Sequence, residues 1–85
     1  MAKAGAIVLI QTEIGAESTV MEKLYKIPEV KEIYVVYGIY DVIAKIESDS
    51  LEKIREVITS KIRKLQEIRT TSTMVIVEER KKPNK

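Results

Sequence analysis

Apolar positions along this chain switch between the two-residue alternation of strands and the three- to four-residue stripe of helices. Residues 6–12 (AIVLIQT) form an apolar run of strand length, and Gly15 breaks the chain ahead of a helix over residues 16–27. Val20, Met21, Leu24 and Ile27 make the apolar stripe of that helix, and Pro28 ends it. Residues 30–37 (VKEIYVVY), rich in β-branched and aromatic side chains, predict a second strand, and residues 42–47 (VIAKIE) a third. The short segment between them makes an antiparallel hairpin. Asp49 with Glu52 three positions on predicts a capping box for a second helix. Leu51, Ile54, Ile58, Ile62 and Leu65 repeat along it, Val57 widens the stripe, and Lys53, Arg55, Glu56, Lys61 and Lys64 read as its solvated face. Residues 68–78 (IRTTSTMVIVE) close the chain as a fourth strand.

The order is βαββαβ, and its halves echo each other. KIPEVK at 26–31 aligns with KLQEIR at 64–69, and Val20 and Leu24 fall on Ile58 and Ile62 at the same offset. Two such units predict an α+β, ferredoxin-like fold: a four-stranded antiparallel sheet with both helices on one face. Such a sheet should be polar on its free face. Here Ile7 and Leu9 oppose Val8 and Ile10, Tyr34 and Val36 oppose Ile33, Val35 and Tyr37, and Met74 and Ile76 oppose Val75 and Val77. Both faces are apolar, so the free face needs a cover, and a sheet-to-sheet homodimer is the simplest one.

At 85 residues the chain reads as one domain, 1–85, small enough to be marginal as a monomer. Nothing in it approaches the roughly 18 apolar residues of a membrane span. MAKAG lacks the regions of a secretory signal, so a cytoplasmic location is expected. The net charge of +2 is slight for a nucleic-acid binder, and the basic stretch 79–85 reads as a flexible tail. Cysteine and histidine are both absent, which excludes thiolate and imidazole metal sites, iron–sulfur clusters and triad catalysis. No metal, cofactor or catalytic residue is therefore assigned. An RNA-recognition sheet would need strand aromatics that are missing, and the single Gly15 after the first strand is too little for a phosphate loop.

The segment Gly38, Ile39, Tyr40, Asp41 is unusual for a hairpin tip because it carries an isoleucine and a tyrosine. Together with IPEV at 27–30, AKIE at 44–47 ahead of a helix, and the closing IRTTSTMVIVE, it matches a Gly-x-Tyr-Asp loop in its sequence context. On these motifs the chain resembles the C-terminal effector-binding (RAM) domain of Lrp/AsnC transcription regulators. With the first strand starting near residue 6, it resembles a stand-alone form without the helix-turn-helix reader, so no direct sequence-specific DNA binding is expected.

The resemblance implies a non-catalytic amino-acid sensor whose sheet-to-sheet dimers assemble into octamers or decamers, with the effector held between dimers near that loop. A full-length Lrp/AsnC regulator is an implied partner. Gly38 would admit a close backbone approach, Tyr40 would line the site and Asp41 would accept from the effector ammonium. Hydroxyls of Thr70, Thr71, Ser72 or Thr73 would donate to its carboxylate. Taken singly, Gly38 and Asp41 read as turn residues, the threonines as strand formers, and Tyr34 and Tyr37 as interface packing. Two alternatives stand: an ACT-like amino-acid-binding domain, and a small dimeric α/β-barrel enzyme relying on Glu13, Asp41 or tyrosines.

Overall fold

The apolar run at the head of the chain becomes a central strand because it can bury side chains on both sides. In the computed structural model, which describes residues 3–83, this strand is β1 (Ala4–Thr12). It is followed by α1 (Glu17–Tyr25), β2 (Val30–Val35), β3 (Val42–Ser48), α2 (Leu51–Val57) with a π-helical turn at Ile58–Ile62, and β4 (Ile68–Val75). The sheet order is β2-β3-β1-β4 and every pairing is antiparallel, the ferredoxin-like α+β arrangement. Among the described residues no helix is long and apolar enough to cross a membrane.

Cross-strand register sorts the side chains into two faces. Ile33, Ala44, Val8 and Thr73 share a row on the helix side, while Tyr34, Ile43, Leu9 and Ser72 share the adjacent row on the opposite side. On the helix side Ala6, Val8, Ile10, Val42, Ala44 and Ile46 close against Val20, Leu24, Ile27, Ile54, Val57, Ile58 and Ile62 to form the buried core. The other face carries Ile7, Leu9, Tyr34, Ile43 and Met74 without a layer above it, and Met74 and Tyr34 are about half exposed.

Element ends depart from the sequence pattern for local reasons. The second helix is capped by Ser50, whose extended backbone lets its hydroxyl accept from the Lys53 N–H at 3.1 Å. Asp49 is therefore not the cap, no capping box forms, and Glu52 lies in the first turn, where a negative charge suits the helix dipole. β2 stops at Val35 because the Val36 N–H turns to the Asp41 carbonyl and closes the hairpin, leaving Tyr37 fully exposed. β4 stops at Val75, although the Ile76 N–H still donates to the Gly5 carbonyl.

The π turn has a sequence cause. Ile54, Ile58 and Ile62 are spaced by four, wider than the 3.6 residues of an α-helical turn, yet all three are buried. The wider turn, closed by the Arg63 N–H on the Ile58 carbonyl, keeps them on one face.

The internal repeat is real in three dimensions. Val30 N–H donates to Ile27 and Ile68 N–H to Leu65 in matching turns, and each turn glutamate pairs with a lysine of the other half. Lys23 meets Glu67 at 3.0 Å and Lys61 meets Glu29 at 3.5 Å. After β4 the chain has no regular structure through Pro83, but Glu79 pairs with Lys45, which is only 8% exposed on the helix-free face. Residues 84 and 85 of the basic stretch lie outside the described residues.

Leu24→Ala should destabilise the fold by about 2–5 kcal/mol, and Ile14→Ala, at a side chain 98% exposed, by less than about 0.5 kcal/mol, in denaturant titrations at equal protein concentration. Hydrogen bonds from Lys23 and Lys45 hold the Glu67 and Glu79 carboxyls below the ordinary glutamate range. Their stabilising effect should be complete above that range and vanish as pH falls through the lowered values. Carboxyl titration by NMR should give depressed midpoints for both residues, and Lys23→Met should raise that of Glu67.

Candidate functional site

The segment 36–41 sits at the end of the sheet where β1 finishes and β4 begins. Its anchor is Asp41. The register of β1 against β4 shifts between Gln11 and Thr12, and the Thr12 N–H donates to Asp41 Oδ2 at 2.9 Å. The Asp41 N–H in turn donates to the Ile10 carbonyl at 2.9 Å. Asp41 is thus a turn residue by geometry, with Oδ1 accepting no hydrogen bond among the described residues. Gly38 has φ +156°, a conformation that side chains with a Cβ rarely adopt, although a Cβ there would meet nothing within 4 Å. Tyr40 is half-buried, while Tyr37 and Ile39 are presented to the outside.

Gln11 ties this loop to the fourth strand. Its side-chain amide donates to the Ile39 carbonyl at 3.0 Å, and its carbonyl accepts from the Thr70 hydroxyl at 2.6 Å. The sequence reading did not single out Gln11. Its signal was a long polar side chain inside an otherwise apolar strand.

The four hydroxyls of β4 do not converge. Thr70 pairs with Gln11 and Ser72 with Leu9 on the helix-free side, whereas Thr71 pairs with Ile10 and Thr73 with Val8 on the helix side. Period-two alternation forces this division. Only Thr70 joins the Gly38 loop, and Thr71 and Thr73 open into a different space.

That space exists because the helix layer falls short of the sheet's edge. α1 lies over β2 and β3, and α2 over β1 and β3, leaving β4 without a helix directly above it. The resulting cleft between α2 and β4 is a cavity of about 380 Å3. Leu51, Ile54, Ile58 and Val75 give it apolar walls, and Arg55, Thr59, Arg63, Thr71 and Thr73 bring polar groups to it. A hollow of about 300 Å3 adjoins it, shares Arg63 and Thr71, and adds Ile68, Arg69 and Thr70. No carboxylate lines either space, and no residue of 36–41 reaches them.

Arg55 and Arg63 were read from sequence as solvated surface or passed over. The missed signal is a row, Arg55, Thr59, Arg63, that runs at spacing four beside the buried row Ile54, Ile58, Ile62. The π turn carries both rows. Where the apolar row must face the core, its neighbour borders the cleft.

Comparison with known proteins agrees with this fold. The family model for the Lrp/AsnC ligand binding domain matches residues 5–85. The HTH-type transcriptional regulator FL11 of Pyrococcus furiosus is 31% identical over 72 residues, which is 85% of this chain and 47% of FL11. The crystal structure of FFRP-DM1 superposes with a TM-score of 0.84 at 53% identity, covering 87% of this chain and 99% of that one. E. coli AsnC shares the fold, with a TM-score of 0.88 at 23% identity over 95% of this chain and 55% of its own. The chain spans about half the length of the curated relatives it matches. The sheet, its repeat and the family match over nearly the whole chain make this protein a member of the Lrp/AsnC ligand-binding-domain family.

Proposed function

We propose that the chain is a non-catalytic, oligomeric module that binds a free amino acid and passes that state to a partner. The observation that carries the reading is the cleft between α2 and β4. Its 380 Å3 volume suits a small metabolite, and its lining combines apolar walls with donors able to hold a carboxylate. What its lining lacks is a carboxylate to meet an ammonium. Asp41 has one carboxylate oxygen without a hydrogen bond, and the loop that carries it also exposes Tyr37 and Ile39. A loop of that character becomes stable against a neighbouring subunit. In this reading the Gly38–Tyr40–Asp41 loop of one subunit closes the cleft of another, so the effector is held between dimers.

Dimers come first, through the helix-free face. Ile7, Leu9, Ile43 and Met74 there are each worth roughly 1.5–3 kcal/mol when fully removed from water. Lys45 is central on that face and already has Glu79 as its counter-charge, so its burial leaves no unpaired cation. The same face would let the module co-assemble with a full-length regulator of the family. FL11 is named as a transcriptional regulator, and this chain matches about half of it.

Leu9→Asp, which sets a charge into the centre of the helix-free face, should reduce the light-scattering mass from an oligomer to a monomer. A wild-type protein monomeric across a wide dilution series contradicts the reading. For the effector, Asp41→Asn keeps an acceptor for the Thr12 N–H but loses the negative charge. It should weaken amino-acid binding in calorimetric titrations by roughly 1.5–3 kcal/mol while leaving the thermal midpoint close to wild type. Asp41→Ala should lower the midpoint as well. Equal affinities of wild type and Asp41→Asn would put the ammonium elsewhere.

A further inference from the structure

The cleft between α2 and β4 holds more positive charge than the α-carboxylate of an amino acid requires. Arg55 and Arg63 both line it, and neither has an ion-pair partner among the described residues. Arg69 stands at the adjoining hollow. Guanidinium stays charged throughout the physiological range and presents a planar fork that matches a carboxylate with two hydrogen bonds. A cationic side chain would meet repulsion here, and a neutral one would leave a guanidinium unused.

The internal repeat supplies a control within the same molecule. At the offset of the KIPEVK and KLQEIR turns, Met21, Tyr25 and Ile33 occupy in the first half the places that Thr59, Arg63 and Thr71 occupy in the second. They too line a hollow between a helix and an edge strand. The fold therefore accepts an apolar lining at these positions, and packing does not impose the arginine and threonines of the second cleft. The only π turn among the described residues also lies here, contributing Thr59 to the cleft, and π turns concentrate at functional sites.

We propose that the effector is an acidic amino acid, an α-amino dicarboxylate whose two carboxylates are met by Arg55 and Arg63 with the cleft hydroxyls. The inference rests on the amino-acid-binding reading, because the ammonium is left to Asp41 of a neighbouring subunit. Both guanidiniums are needed, since one satisfies only one carboxylate.

The test is calorimetric titration of the assembled protein with L-glutamate, L-aspartate, succinate, inorganic phosphate, L-isoleucine and L-lysine. L-Glutamate or L-aspartate should bind saturably and tighter than the neutral and basic amino acids. Arg55→Gln and Arg63→Gln should each weaken that binding about tenfold or more at unchanged light-scattering mass and thermal midpoint. Tighter binding of L-isoleucine or L-lysine, indifferent to both substitutions, overturns the acidic class while amino-acid sensing stands. Succinate or phosphate binding as tightly as L-glutamate, and indifferent to Asp41→Asn, overturns the amino-acid reading and leaves a plain anion site. Absence of binding by all six overturns both.

Discussion

In this molecule the two helices leave part of the four-stranded sheet uncovered. Every other feature of this molecule follows from where that cover runs out. On the helix side the layer reaches across β1, β2 and β3, where Val20, Leu24, Ile54, Val57 and Ile62 close on the strands, and it stops before β4. On the other side the described residues form no helix or strand layer, although Ile7, Leu9, Ile43 and Met74 are apolar there. A chain of 85 residues has little reserve of buried surface, so neither gap is neutral. The first becomes a cleft and the second a surface that favours a second sheet. The proposed site and the proposed assembly both start from this shortage of helix.

The doubling of a single βαβ unit sharpens this view. The repeated turns are held by the same backbone hydrogen bonds, and Lys23–Glu67 and Lys61–Glu29 are the same contact made in both directions across the repeat. Each half has a hollow between its helix and its edge strand, although α1 packs on β2 more closely than α2 on β4. One is lined by Met21, Tyr25 and Ile33, the other by Thr59, Arg63 and Thr71. The turns of the repeat are thus kept while the lining of the hollows is not, and the polar half is also the half that carries the π turn. Divergence within a repeat separates what the fold requires from what a ligand could use.

How much of this was legible in the sequence depended on whether the information was local. Periodicity located all six elements and the core, because Val8 and Ile10, Val20 and Leu24, and Ile54 and Ile62 sit at spacings that only one face can satisfy. Apolar alternation on both faces of β1 was legible for the same reason. The cap was misread by one residue, since Asp49 and Ser50 are both competent caps and only the backbone angle at Ser50 decides between them. The candidate site was only partly marked by local pattern. Gly38 and Asp41 stand out in a turn, but that the Asp41 carboxylate is held by the Thr12 N–H follows from an irregularity in β1 that no local pattern announces. The hydroxyls of residues 70–73 looked contiguous, yet a strand sends neighbours to opposite faces. Arg55 and Arg63 were hidden because a charged residue on a helix reads as solvated until the layer's short reach is known.

The central claim is that a single subunit is incomplete: the loop bearing Asp41 and the cleft bearing Arg63 meet only between subunits. Mixing two defective variants tests it most directly. Asp41→Asn and Arg63→Gln proteins, each weak in binding alone, are dissociated together and reassembled, and their capacity for L-glutamate is measured by titration against each unmixed variant. The account predicts that the mixture regains a fraction of high-affinity sites, built from the intact loop of one subunit and the intact cleft of the other. A mixture that binds no better than its two components contradicts it.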